Sequence, residues 1–308
     1  MSGSVSPLPW IGNKGCIYKT IDAFMPPHRT YVEPCMGSAE VFFRKAPVQK
    51  EILNDYNGDL VKFFRVLQRS EKLAYLIGRL YLSFNSEEIF RANKERLRDV
   101  PNVLDDVNET AVIIENAPWE DIELAVAFFE NQYFSFSSTG KTFAIIGKDM
   151  TKKFDRLLAA CNRLRNAIIM HRDYKDCISY AADKDTFILL DPPYKGTEDS
   201  YPKANFDSNE HKKLFDFMNA IHLEFGGECK FIITYNNDPY FHKLAKEYGY
   251  YTHVQPRLHN MAQSSKPGEM FEELLIGNYD LKRQSIINEK YLKEQNRQLN
   301  LFDFKHDY

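Results

Sequence analysis

The sequence predicts an α/β fold: a Rossmann-like, mixed and mostly parallel sheet of seven strands with a helical domain inserted into it. Three observations predict it. Short β-rich runs recur along the chain, helical patterns lie between them, and one long interval has no strand. The runs are residues 31–33, 51–54, 167–170, 186–190, 230–235, 250–254 and 273–279. Several, such as Phe187-Ile188-Leu189-Leu190, are continuously apolar, which suits strands buried on both faces of a parallel sheet. The clearest helical patterns are 37–44, 60–68, 154–165, 208–222 and 240–248. Strands alternating with helices imply a sheet covered on both faces. After about residue 69 the next good strand begins only near residue 166, and the residues between are mostly helical in pattern, rich in aromatic and charged side chains. An inserted domain explains that interval better than a very long loop. Residues 1–69 and 150–280 therefore read as one domain, 70–149 as the insertion, and 281–308 as a polar C-terminal tail. The insertion ends in a turn-rich stretch, residues 135–141, which reads either as a ligand-facing loop or as a plain surface loop.

Composition supports a globular protein. Of 308 residues, 44% are hydrophobic and 27% charged, and aromatics reach 14%, enough for a full core. That excludes a disordered chain and a small disulfide scaffold. The net charge of −3 argues mildly against a nucleic-acid binder, but its distribution is uneven. Residues 101–125 carry seven acidic side chains and no Lys or Arg, whereas 151–175 carry Lys152, Lys153, Arg156, Arg163, Arg165, Arg172 and Lys175 against two Asp. That second stretch reads either as a phosphate-facing patch or as a solvated helix face. The five Cys are widely spaced with no C-x-x-C, the pattern of reduced thiols and not of a zinc site. The start has no apolar signal core, and no apolar run approaches the ~20 residues needed to span a membrane. The expectation is a cytoplasmic protein with no metal and no membrane partner.

The segment richest in chemistry is Asp191-Pro192-Pro193-Tyr194, directly after a buried-strand pattern. Ligands of open α/β sheets bind at that edge. Two prolines stiffen the backbone and remove two donors, leaving the carboxylate and the proline carbonyls as acceptors beside a flat ring. Such a corner suits a planar heterocycle with an exocyclic amino group, which donates to the acceptors while its ring stacks on Tyr194. A chance match is expected roughly a few times per thousand chains of this size, so a site is favoured over a Pro-rich turn.

A second block runs from Tyr31 through Glu33, Pro34, Cys35, Met36 and Gly37 to Phe43: a strand, a small-residue turn, then an apolar helix. Gly37 allows a ligand to approach the backbone at the helix start. About twenty residues on, Asn54-Asp55 closes the second strand with an acid placed to accept from ribose hydroxyls. There is no G-x-G-x-x-G, so a nucleoside-type cofactor without phosphates fits better than a dinucleotide.

These blocks, in this order, make the chain resemble the Dam-type (D12 class) DNA adenine N6-methyltransferases. The match runs over about residues 8–280: Pro9-Trp10-Ile11-Gly12-Asn13-Lys14, the block from Glu33 to Phe43, Asn54-Asp55-Tyr56-Asn57, Asp191 to Tyr194, and Glu272 to Tyr279 as the last strand. Cys35 departs from the family's pattern, which usually has Phe there, and Ala39 stands where a second Gly or Ala is common. The resemblance implies a methyltransferase sheet with a target-recognition insertion at 70–149, S-adenosyl-L-methionine as methyl donor with S-adenosyl-L-homocysteine as product, and duplex DNA as substrate. It implies Trp10, Lys14, Glu33, Gly37, Asp55 and Asp191 around the cofactor, and Asp191, Pro192, Pro193 and Tyr194 around a flipped adenine. Lys141, Lys195, Ser264, Ser265 and Lys266 are the expected DNA contacts, and a restriction-modification setting is implied. An N4-cytosine methyltransferase, which usually opens the tetrapeptide with Ser, and a catalytically silent DNA- or clamp-binding module are the alternatives. Finally, Gln298-Leu299-Asn300-Leu301-Phe302 resembles the Q-L-x-L-F peptide by which bacterial proteins dock on the replication sliding clamp. The same residues also suit a last helix folded back on the core.

Overall fold

A computed structural model describes residues 4–107, 119–145, 149–197, 206–207, 209–258 and 270–303. Seven strands form one sheet: β1 (Thr30–Glu33), β2 (Lys50–Asn54), β3 (Ile168–Met170), β4 (Thr186–Leu190), β5 (Lys230–Asn236), β6 (Tyr251–Leu258) and β7 (Met270–Gly277). Their order is β3-β2-β1-β4-β5-β7-β6. The first five are mutually parallel, with Val32 opposite both Ile52 and Ile188, and Leu190 opposite Ile233. β7 runs antiparallel between β5 and β6. The mixed, mostly parallel methyltransferase-like sheet expected from the sequence is thus present. Strand order reverses between β1 and β4, so their C-terminal ends open a crevice where ligands bind in such sheets.

The apolar runs bury both faces, as their alternation dictates. Tyr31, Leu53, Phe187, Leu189 and Ile232 point into one core, while Val32, Ile52, Ile188, Leu190 and Ile233 point into the other. The first face is covered by α1 (Tyr18–Phe24), α2 (Glu40–Arg44), α3 (Gly58–Leu67) and, later in the chain, α7 (Phe154–Leu164). The inserted segment supplies α4 (Ser70–Tyr81), α5 (Glu87–Arg98) and α6 (Trp119–Phe134). Their buried residues, including Leu76, Phe90 and Phe129, are continuous with the first core, and Phe129 stacks on Phe63 of α3 at 5.6 Å. The second face is covered by α8 (Tyr174–Ala181), α9 (Glu210–Glu224) and α10 (Pro239–Glu247).

Three local readings need revision. The helix expected from residue 37 begins at Glu40, because Gly37 and Ala39 have φ of +47° and +53°, outside the right-handed helix. The polar tail is helical: α11 (Leu281–Asp303) packs its first turns on α1, with Leu281 buried and Asn288 donating to the carbonyls of Ala23 and Met25. The backbone at Gln298, Leu299, Leu301 and Phe302 is therefore the last turns of α11, and their side chains lie outside the described residues. Three cations of the basic stretch, Arg163, Arg172 and Lys175, are engaged within the fold, while Lys152 and Arg165 are exposed. Arg163 and Lys45 both clasp the buried Glu51, at 2.5 and 2.6 Å, and Arg163 lies 3.7 Å over the Phe42 ring. Arg172 is buried and donates to the Asp106 carbonyl, and Lys175 pairs with Glu210. No helix among the described residues is long and apolar enough to cross a membrane.

Removing one partner of such a cluster strands the others. Arg163→Met should cost about 3 kcal/mol in urea unfolding, since it leaves Glu51 with only Lys45 at low dielectric.

Candidate active site

A cavity of about 570 Å³ opens at the crevice above β1 and β4. That volume suits a small-molecule ligand. Its walls bring together residues from many separated segments, including Trp10, Lys14, Glu33, Gly37, Asp55 and the whole of Asp191-Pro192-Pro193-Tyr194.

The N-terminal segment supplies Trp10 and Lys14. A short 3-10 turn, Lys14–Cys16, is capped by Asn13, which accepts from the Gly15 N–H. The turn aims the buried Lys14 ammonium at Asp191 Oδ2, 2.7 Å away, while it also donates to the Gly12 carbonyl at 2.8 Å. The indole of Trp10 lies over Gly37 and faces Phe128 of α6 at 6.3 Å. Gly37 is favoured on two counts: its φ of +47° lies in the left-handed region that side chains rarely adopt, and a Cβ there would stand 2.9 Å from Trp10 Nε1.

β1 and β2 place the acids. Glu33 is buried at the cavity wall and accepts from the Tyr31 hydroxyl and the Phe42 N–H, at 2.7 and 2.8 Å. Burial pushes its pKa up to about 7 despite those donors. Asp55 follows β2 and accepts from the N–H groups of Gly37 and Asn57, each at 3.0 Å. Those donors fix the carboxylate's direction, yet desolvation raises its pKa to about 6.

The tetrapeptide leaves β4 at its C-terminal end. Asp191 is gripped from two sides, by Lys14 on Oδ2 and by the Thr234 hydroxyl on Oδ1 at 2.7 Å. Burial raises its pKa, and Lys14 opposes that rise. A carboxylate has about four acceptor directions, so two remain for a ligand. Tyr194 turns its ring into the cavity and donates its hydroxyl to Glu273 of β7. Its pKa stands well above 10, chiefly from burial and then from the charges of Asp191 and Glu273, so the phenol stays neutral.

The expected DNA contacts are less gathered. Lys141 lies at the mouth of the cavity, where its carbonyl accepts from Lys94 of α5. Lys195 is exposed beside Tyr194, drawn toward Asp238 at 3.5 Å and over the Tyr240 ring. Ser264, Ser265 and Lys266 fall outside the described residues. Sequence reasoning missed several lining residues. Asp173 and Tyr174 follow β3 just as Asp55 follows β2, a signal that was legible in the apolar run ending at Met170. Phe128, Asn131 and Gln132 of α6, one helical face by their spacing, carry no such signal. Among the described residues, no group of three or more His, Cys, Asp or Glu is arranged to hold a metal ion.

The close fit of Trp10 over Gly37 is testable. Gly37→Ala should lose about 1–2 kcal/mol of stability, from its left-handed backbone conformation alone. In the folded fraction, calorimetry should find weaker binding of any ligand that uses the Trp10 wall.

Comparison with known proteins bears on this geometry. A family model described as "D12 class N6 adenine-specific DNA methyltransferase" matches residues 10–258. The chain is 25% identical over 269 residues to a DNA N-6-adenine-methyltransferase of Escherichia phage P1, covering 83% of this chain and 33% of that protein, so it spans about a third of the phage relative's length. It is 25% identical over 280 residues to the type II methyltransferase M1.LlaDCHI of Lactococcus lactis subsp. cremoris, covering 88% of this chain and 94% of the relative. With the type II methyltransferase M.CviBI of Paramecium bursaria Chlorella virus NC1A it shares 22% identity over 220 residues, 68% of this chain and 76% of the relative. With the matched segment running from Trp10 through the tetrapeptide to the end of β6, the chain belongs to the D12 class N6 adenine-specific DNA methyltransferase family.

Proposed function

We propose that this chain transfers a methyl group from S-adenosylmethionine to N6 of an adenine flipped out of duplex DNA. The observation that carries the reading is a shared cavity: the acceptor corner at Asp191–Tyr194 opens into the same space as Trp10, Gly37 and Asp55. The donor set fits such a cofactor. Asp55, with its carboxylate already oriented by two N–H groups, accepts from the ribose hydroxyls. Trp10 offers a flat wall with cation–π capacity toward a sulfonium. When bound, S-adenosylmethionine supplies a methyl group on a cationic sulfur that departs as a neutral thioether.

The chain's own residues do the positioning. An adenine inside the duplex is out of reach, so it is extruded into the pocket. Tyr194 stacks on its face. The free acceptor directions of Asp191 and the Pro192 carbonyl take the two amino hydrogens, which turns the nitrogen lone pair toward the methyl carbon. Pro193 stiffens the loop that carries both. As the N–C bond forms, the nitrogen gives up one proton to solvent. The gain comes from orientation and fixed electrostatics, with no covalent intermediate on the protein. The 70–149 segment is proposed to read the target sequence. Lys94, Arg98 and Lys141 stand at the mouth of the cavity, and Lys195 flanks the tetrapeptide.

Asp191→Ala and Tyr194→Ala should each lower turnover of the folded protein by about three orders of magnitude or more, the scale of losing a group that acts in the transition state. Nucleoside analysis of DNA from cells expressing the wild-type chain should show N6-methyladenine. Finding N4-methylcytosine instead would move the chain to the runner-up chemistry.

The raised carboxylate also predicts a pH dependence. Cofactor binding that uses ionised Asp55, whose pKa is about 6, should be flat above pH 7 and roughly tenfold weaker at pH 5, by proton linkage. Glu33 and Asp191 titrate in the same cavity, so Asp55→Asn is the control: it should remove this part of the profile in a calorimetric titration.

A further inference from the structure

We propose that Glu273, which lies behind the cavity wall, is a positioning residue for Tyr194: it holds the tyrosine hydroxyl and so fixes the ring face offered to the target base, while Arg257 fixes Glu273. The proposal rests on the reading of Tyr194 as the stacking residue.

Glu273 sits on β7 opposite Asn236 of β5 and Gln255 of β6, and is 1% exposed. A carboxylate that deep needs partners. It has two. Tyr194 donates its hydroxyl, and the Arg257 guanidinium stands 2.9 Å away by Nε. Arg257 is in turn seated 4.7 Å over the ring of Phe271, its register partner across the β6–β7 ladder. The arrangement forms a chain from the sheet edge to the ring: Phe271, Arg257, Glu273, Tyr194. Arg257 and Phe271 line the cavity themselves, so the chain runs along its wall.

The ring has further neighbours, and Thr234 also bears on its hydroxyl. Tyr235 meets it tilted by 51° at 5.8 Å, and the Lys14 ammonium lies 5.0 Å from its centroid. The backbone end is set by Pro192 and Pro193 and by the turn in which Thr197 donates to the Tyr194 carbonyl at 2.9 Å. The hydroxyl tether fixes the opposite end. A phenylalanine would stack on a base equally well, so the hydroxyl and the buried acid that receives it are a device for orientation. Because the phenol stays neutral, its hydroxyl keeps the proton that it donates to Glu273.

The test is a double-mutant cycle with radiolabelled S-adenosylmethionine and plasmid DNA from methylation-deficient cells. Tyr194→Phe and Glu273→Gln should each lower kcat by roughly tenfold, with KM for the cofactor within about twofold of wild type. The double variant should lose no more than the worse single one, because both remove the same tether. Multiplying losses, or a wild-type kcat in folded Glu273→Gln, would overturn the proposal. Should Glu273→Gln fail to fold, Tyr194→Phe decides alone: an undiminished kcat refutes the tether. A fully active Tyr194→Ala would instead overturn the stacking reading, and the proposal with it, by a separate arm.

Discussion

The grip on Asp191 is the constraint on which the site depends. Its carboxylate belongs to β4, the ammonium on one oxygen comes from the N-terminal turn, and the hydroxyl on the other comes from β5. Three segments far apart in sequence must therefore be in place before the acceptor corner exists. Burial raises the pKa of Asp191, and Lys14 is the largest influence opposing it. The charge state of the corner and the docking of the first residues are thus one problem. The strand-order reversal supplies the location, since β1 and β4 are neighbours whose connections leave in opposite directions.

The inserted helices take part in that same enclosure. α6 lies on α3 through Phe129 and Phe63, and its next face carries Phe128 to Trp10. Leu97 of α5 lines the cavity, and Asn102 just beyond it accepts from the Gly58 N–H and donates to the Tyr56 carbonyl. The loop holding Asp55 is thereby tied to the insertion. A segment proposed to read DNA is mechanically continuous with the walls of the proposed cofactor pocket, with no separate core between them. Movement of α5 and α6 on DNA would be felt at Asp55 and Trp10 by contact alone.

What the sequence made legible follows from burial. Strands β3 to β5 announce themselves because both faces are apolar and a nearly continuous hydrophobic run leaves little else to be, whereas β1 and β2 each carry two apolar residues beside the buried Glu33, Glu51 and Asn54. β6 and β7 were read short at their far ends: β6 is an edge strand that continues through Gln255, Pro256 and Arg257, and a proline there breaks the pattern while an edge tolerates it. The start of α2 was misjudged because Gly37 and Ala39 look compatible with a helix, and only the backbone shows both at positive φ. Arg163 and Arg172 looked like surface charge, since a sequence gives the sign of a side chain and not the direction it points. Glu51, the partner of Arg163, lies 112 residues away. Asp191, Tyr194 and Asp55 are legible because each follows a recognisable strand, whereas Phe128 reaches the cavity from an element whose position no local pattern reveals.

The acids of the cavity show why such a site is not a by-product of packing. Glu33, Asp55 and Asp191 all have pKa values raised by burial, to about 7 and about 6 for the first two. An acid whose folded pKa exceeds its unfolded one weakens the fold as pH rises through that interval, here from roughly 4 to 7, and the loss is complete above it. At neutral pH the free protein therefore carries carboxylates that oppose its own stability. Structural acids of the same chain behave oppositely: Glu51, clasped by Arg163 and Lys45, has its pKa lowered. The contrast separates an acid clasped by two cations, which braces the sheet, from acids whose partners do not outweigh their burial in a shared space. The ligands proposed for that space carry the matching features, a sulfonium, ribose hydroxyls and an exocyclic amine, so positive charge and donors would meet acids that burial alone disfavours.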